Sequence, residues 1–138
     1  MESSDQPAGL TLLGRTEISL PGSPTQETLE IFDNPNPKRD YWIELDCPEF
    51  SSLCPVTGQP DTAHVSIRYV PGKHCVETKS LKFYLASYRN QPSFNEAVIN
   101  RIADDLIAVC DPRHLSITGA FSSRGGISLT VQIDHPED

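Results

Sequence analysis

The stretch Ala63-His64-Val65-Ser66-Ile67-Arg68-Tyr69, read on through Pro71-Gly72 to Leu81-Lys82-Phe83-Tyr84-Leu85-Ala86-Ser87-Tyr88, decides the fold. In its first part Ala63, Val65, Ile67 and Tyr69 alternate with His64, Ser66 and Arg68, the period of two that marks a half-buried strand. Pro71-Gly72 ends that strand. The period then changes. Leu81, Tyr84, Leu85 and Tyr88 recur at i, i+3, i+4 and i+7, which is the apolar stripe of a helix.

Working outward, Ile43, Leu45 and Cys47 alternate with Trp42, Glu44 and Asp46, which gives an earlier strand. Pro92 stops the first helix, and Ser93-Phe94-Asn95-Glu96 has the form of a capping box. A second helix follows with Phe94, Val98, Ile102, Leu106 and Val109 on one side, and Pro112 ends it. Leu115, Ile117 and Gly119 alternate in one last strand, and Ile127, Leu129, Val131 and Ile133 in another. Arg124-Gly125-Gly126 turns the chain between them. The order is β-β-α-α-β-β, which predicts an α+β fold: an antiparallel sheet with both helices on one face. Such a sheet leaves two open edges that need cover or a neighbouring subunit.

Residues 1–40 carry Pro7, Pro21, Gly22, Pro24, Pro35 and Pro37 and little pattern. They read as an extended, partly disordered N-terminal arm, with Leu29, Ile31 and Phe32 packing onto a single domain over residues 41–138. A chain of 138 residues with a net charge of −8 has room for its own core and is too acidic for a general nucleic-acid binder. It has no run long enough to cross a membrane, and its start is polar and acidic, so the expected location is the cytoplasm, with no membrane partner. In that compartment the cysteines at 47, 54, 75 and 110 are reduced. No pair is spaced C-x-x-C and the histidines at 64, 74, 114 and 135 are scattered, so no metal site is indicated.

Three constellations could carry chemistry. Cys54-Pro55-Val56-Thr57-Gly58-Gln59-Pro60-Asp61 places a thiol and a carboxylate across a turn stiffened by two prolines. A thiolate is a nucleophile and a carboxyl can move a proton, so Cys54 and Asp61 are candidate catalytic residues; burial of a small thiol and a turn-forming Asp are the structural alternatives. Lys79, Lys82 and Arg89 share one sector of the first helix, a stripe suited to a phosphorylated ligand or simply to solvent. Glu77 and Glu96 stand at helix starts, where acidic residues complement the dipole. A carboxylate there can also accept paired N–H bonds from a purine-like base, and Asn95 beside Glu96 both donates and accepts.

Together these segments resemble the QueF family, the NADPH-dependent nitrile reductases of queuosine biosynthesis, a tRNA modification pathway. The likeness rests on Glu49-Phe50-Ser51-Ser52-Leu53-Cys54-Pro55-Val56-Thr57-Gly58-Gln59-Pro60-Asp61 and on Glu77-Thr78-Lys79-Ser80-Leu81-Lys82-Phe83-Tyr84. Ser87-Tyr88-Arg89-Asn90 and Arg124-Gly125-Gly126-Ile127-Ser128 support it. The resemblance implies reduction of 7-cyano-7-deazaguanine to its aminomethyl product through a covalent thioimide on Cys54, with Asp61 as proton donor in a dry site and NADPH as cofactor. It implies that Val76, Glu77, Thr78, Asn95 and Glu96 hold the substrate base, and that Lys79, Lys82, Arg89 and Arg124 meet the cofactor. It implies the tunnelling fold (T-fold), an oligomeric barrel, here a homo-oligomer of two stacked pentamers with active sites between subunits. The chain departs from the family pattern in having Asn95 where His is common, which removes a group that titrates near neutrality. Thr62 and Thr78 also differ, and Val98 replaces a second Cys able to protect the nucleophile, which leaves Cys54 open to irreversible oxidation. An archaeosine-type amidinotransferase and a non-catalytic deazapurine- or pterin-binding T-fold protein are the other readings; the lysine motif and acidic charge tell against the first, and the Cys54/Asp61 pair against the second.

Overall fold

Residues 22–137 are described by a computed structural model of the chain. The alternation at 63–69 becomes β3 (Pro60–Val70), which lies inside a four-stranded antiparallel sheet of order β2-β3-β5-β6. Its companions are β2 (Ile43–Leu53), β5 (His114–Arg124) and β6 (Ile127–His135). Val65 and Ile67 are fully buried while His64 and Arg68 are exposed, so the sequence period is the pleat of the sheet. The helices α1 (Thr78–Ala86) and α2 (Asn95–Cys110) join Val65, Ile67 and Ile117 in one core through Leu81, Tyr84, Val98, Ile102 and Leu106. The expected β-β-α-α-β-β order is present.

Two short strands add to it. β1 (Ile31–Asp33) pairs antiparallel with β4 (His74–Val76) in a separate two-stranded sheet. The arm expected over residues 1–40 is therefore folded in its later part, while residues 1–21 lie outside the described residues. Leu29 is in the core. Buried Asn34 receives a bond from the Tyr41 hydroxyl (2.6 Å) and donates through Nδ2 to the Gly72 carbonyl (2.8 Å). Three-residue strands are too short for a period to show, which is why the sequence pattern missed both.

β2 runs further than its alternation suggests. The pairing of β2 with β3 slips between Cys47 and Phe50, a β-bulge that spends one extra residue at Pro48-Glu49. The slip reverses the parity, so Phe50 and Ser52 face inward where Glu49 and Ser51 would have done so. A second slip lies in β5 between Phe121 and Arg124. It precedes the Gly125-Gly126 turn, whose φ angles of 58° and 81° suit a two-residue hairpin that only glycine accepts readily. Glycine serves differently at 119. A Cβ there would lie 2.5 Å from Ile99 Cδ1, so its absence lets α2 settle directly on β5.

Other expectations change at helix ends. α1 stops at Ala86, so Arg89 is beyond it and donates through Nη1 to the Ala86 carbonyl at 2.9 Å, where the helix-stripe reading had placed it on the cationic face. Ser93 does not cap α2: the N-cap is Phe94, with no side-chain bond, and the Ser93 N–H instead donates to the Leu53 carbonyl. Phe94, expected on the buried side, is 63% exposed for the same reason.

Candidate active site

The topology gives the chain two ends. At one, β2 ends, β3 begins, β5 turns into β6 and α2 starts. The Leu53 N–H donates to Gln91 O and the Leu53 carbonyl accepts from Ser93 N, both at 3.1 Å. This fastens the entry to α2 beside the Cys54 turn, so Cys54, Asp61, Asn95, Glu96 and Arg124 share that end. At the other end β3 finishes, and Val76 N donates to the Tyr69 hydroxyl at 3.1 Å. Val76, Glu77, Thr78 and Lys79 lie there. Asp61 and Tyr69 are eight residues apart on β3, roughly 27 Å at the rise of an extended strand. One chain therefore does not bring its two sets of expected substrate residues together.

At the Cys54 end the chain forms a tight loop. Gly58 N donates to Cys54 O (2.9 Å) and Cys54 N to Gln59 O (2.8 Å), with Gly58 at φ 72°. The Thr57 hydroxyl, and after it the N–H groups of Thr57 and Val56, are the donors that favour a charged sulfur here. These hydrogen bonds lower the Cys54 thiol below the ordinary cysteine value, against opposition from partial burial and the Asp61 charge. The other three thiols move the opposite way: burial raises Cys47 and Cys75 and pushes Cys110 up to about 12. Of the four cysteines, only Cys54 has its thiol lowered. Thr57 was not singled out from the sequence, although it stands inside the Cys-Pro-Val-Thr-Gly run that signals the loop.

Asp61 is nearly buried, at 9% exposed, and its Oδ1 lies 2.7 Å from Arg124 Nε. Arg124 also donates to Gln59 Oε1 at 2.6 Å and to the Pro60 carbonyl. The expected dry wall around Asp61 is thus interrupted by a guanidinium, and Arg124, expected at the cofactor, closes the Cys54 loop. Two polar atoms here are enclosed without a protein partner among the described residues: Asn95 Oδ1 and Ser52 Oγ. Glu96 is exposed in the first turn of α2. Val56, Phe94 and Ile127 leave 80%, 63% and 72% of their surface exposed, an apolar rim around this end that the chain itself does not cover.

At the other end Glu77 is the N-cap of α1. Its two carboxylate oxygens accept from Ser80 N and Lys79 N, both at 2.7 Å, and it is buried. Val76 is also buried, against Tyr69. Thr78, Lys82 and Arg89 line a groove of about 610 Å³ between α1 and β2, with Leu45, Leu81 and Leu85 as apolar wall. Lys82 and Arg89 beside an apolar wall offer partners for phosphates carried next to a flat ring, while Asp46 and Glu49 on the β2 side oppose them.

A family model described as QueF-like protein matches residues 60–138. The chain belongs to the QueF-like family. A protein of Magnetococcus marinus named NADPH-dependent 7-cyano-7-deazaguanine reductase is 54% identical over 115 residues, covering 83% of this chain and 90% of its own. Proteins of the same name from Bacteroides fragilis and Streptococcus thermophilus are 52% and 48% identical, covering 87% and 94% of this chain and each aligned over 79% of its own length. A crystal structure of apo archaeosine synthase QueF-Like superposes with a TM-score of 0.65 at 22% identity, over 70% of this chain and 95% of that one. That likeness establishes the shared fold. The family match begins at Pro60, after the Cys54 loop, so the case for Cys54 rests on the loop itself.

Proposed function

We propose that the chain is an NADPH-dependent nitrile reductase that converts 7-cyano-7-deazaguanine to 7-aminomethyl-7-deazaguanine, a cytoplasmic step of queuosine biosynthesis. The observation that carries the reading is the hydrogen-bonded Cys54 loop beside buried Asp61, in a chain whose relatives at 48–54% identity bear that activity in their names. A nitrile is a poor hydride acceptor. The Cys54 sulfur adds to its carbon and Asp61 gives a proton to its nitrogen, which converts it to a thioimide that accepts hydride more readily. After one reduction the C–S bond breaks, the thiolate leaves, and the resulting imine is reduced to the amine. NADPH supplies both hydrides when bound. Lys79, Lys82 and Arg89 are the residues that would hold it. Arg124, also expected there, holds Asp61 in this chain, so proton donation requires Asp61 to part from its guanidinium.

Asn95 and Glu96 are assigned to the deazaguanine base from one subunit, and Val76, Glu77 and Thr78 from a neighbour. The separation of the two ends, the apolar rim at Val56, Phe94 and Ile127, and the long open edges β2 and β6 support a barrel of several subunits, expected as two stacked pentamers. The Glu77 oxygens already serve α1, so Glu77 would offer the base only their remaining lone pairs. Asn95 Oδ1 would accept a substrate N–H but cannot shuttle a proton near neutral pH.

The test is NADPH consumption by the purified chain with and without the nitrile, scored against amine formed. Two NADPH per amine, lost in Cys54→Ala, is the expected result. Nitrile binding without consumption would overturn the reading in favour of a binder, and amidine formation would favour an amidinotransferase.

A further inference from the structure

We propose that Ser52 is a positioning residue for Asp61: its sealed hydroxyl receives the Asp61 carboxyl when that group leaves Arg124. The inference rests on the reductase reading. Ser52 and Asp61 are direct cross-strand partners in the β2–β3 register, and both face inward. Side chains paired in this way have Cβ atoms about 5 Å apart, close enough for a serine oxygen and a carboxyl to meet by rotation of the Asp side chain alone. Ser52 is 0% exposed and its Oγ has no protein partner among the described residues. Asp61 has its Oδ1 on Arg124.

The placement has a specific structural cause. Without the bulge at Pro48-Glu49, Ser51 and Leu53 would take the inward positions and Ser52 would point outward, away from Asp61. The bulge in β5 likewise precedes Arg124. Two irregularities in an otherwise regular sheet thus set the two polar groups that flank Asp61. A buried hydroxyl without a partner is costly, and alanine would fill the same space without that cost. Serine also suits a group that changes protonation, since its hydroxyl accepts from a carboxylic acid and, after rotation, donates to a carboxylate. When Asp61 passes its proton to the nitrile nitrogen, the Ser52 O–H turns to donate to the carboxylate left behind.

The experiment follows adduct formation without NADPH, by intact mass of the full-length chain mixed with 7-cyano-7-deazaguanine. Ser52→Ala should slow the adduct roughly tenfold, the scale of one hydrogen bond, while its thermal midpoint stays level or rises. The double variant Ser52→Ala/Asp61→Asn should match Asp61→Asn alone, because Ser52 acts through Asp61. Ser52→Cys, which keeps the volume with a weaker donor, should fall between wild type and Ser52→Ala, and carries the same comparison if the alanine variant is poorly folded. A wild-type adduct rate in Ser52→Ala, or an undiminished loss in the Asp61→Asn background, would overturn the proposal. If the wild-type chain forms no adduct at all, the reductase reading fails and takes this inference with it.

Discussion

The Cys54 end and the Glu77 end of this chain treat their polar groups in opposite ways. At the Glu77 end demands are met locally. Both Glu77 oxygens cap α1, Ser80 Oγ donates to Glu77 O and accepts from Glu30 N, and Tyr69 holds Val76. At the Cys54 end Ser52 and Asn95 keep enclosed oxygens without protein partners, a thiol is held below its ordinary value, and three apolar side chains stand exposed. The first end is built to be rigid. The second leaves polar and apolar groups unmet within the chain, and their cost is carried by the rest of the fold.

The strongest way to break this contrast is to disable each end separately. Cys54→Ala should lower turnover by on the order of a thousandfold or more with no loss of thermal stability. Glu77→Gln should also lose turnover, together with about 1 kcal/mol from a weakened helix cap, measured by urea unfolding. Neither variant alone is informative about assembly, but their mixture is. If each site takes its thiol from one chain and its Glu77 end from the next, unfolding and refolding the two inactive variants together at equal amounts should restore about a quarter of wild-type activity by random pairing. No recovery would show that both ends serve one site within a single chain, or that they serve none.

Asp61→Asn should reduce turnover by about 10²–10⁴-fold, the range for loss of a positioned general acid. Arg124→Ala sharpens the contrast from the other side. It leaves a nearly buried carboxylate without its ion pair, and the Arg is itself 44% exposed, so the expected loss of folding stability is modest, about 1–2 kcal/mol. Gly119→Ala probes the seat that α2 shares between both ends. Ile99 is fully buried and cannot swing out to admit a methyl group, so a cost of about 1–3 kcal/mol is expected by thermal or urea unfolding.

The regular parts of this chain were legible because they repeat. Period two at 63–69 and the 81, 84, 85, 88 stripe each have several residues agreeing, and Leu81, Tyr84, Leu85 and Tyr88 are all buried as that stripe requires. The site was legible only as residue types. Its geometry depends on events that break the pattern: a bulge that reverses parity before Ser52, another before Arg124, and an α2 entry held by the Leu53 backbone in place of the Ser93 side chain. A bulge has no period, so nothing in the alternation of β2 says that position 52 faces the core. Arg89 failed for a similar reason: a 100° projection assumes that the helix continues, and α1 ends at Ala86.

The smallest effect belongs to Thr57, and it tests whether the Cys54 end is prepared before any substrate arrives. Among the groups acting on the Cys54 thiol, the Thr57 hydroxyl is the largest, ahead of the backbone N–H groups of Thr57 and Val56. A hydrogen bond to sulfur favours the thiolate, so the reactive form should appear at lower pH than in an ordinary cysteine. The rate of alkylation by iodoacetamide should therefore rise through a midpoint below 9.0, the ordinary thiol value. Thr57→Val keeps the shape and the backbone donors but removes the hydroxyl. Its midpoint should move up by less than about one pH unit, because the two N–H groups remain. Substrate turnover near neutral pH should fall in proportion to the lost thiolate, a change below about tenfold. An unmoved midpoint would place the preparation of the sulfur in the loop backbone alone, and a profile centred at the ordinary value in the parent chain would mean that the Cys54 sulfur is not prepared before substrate arrives.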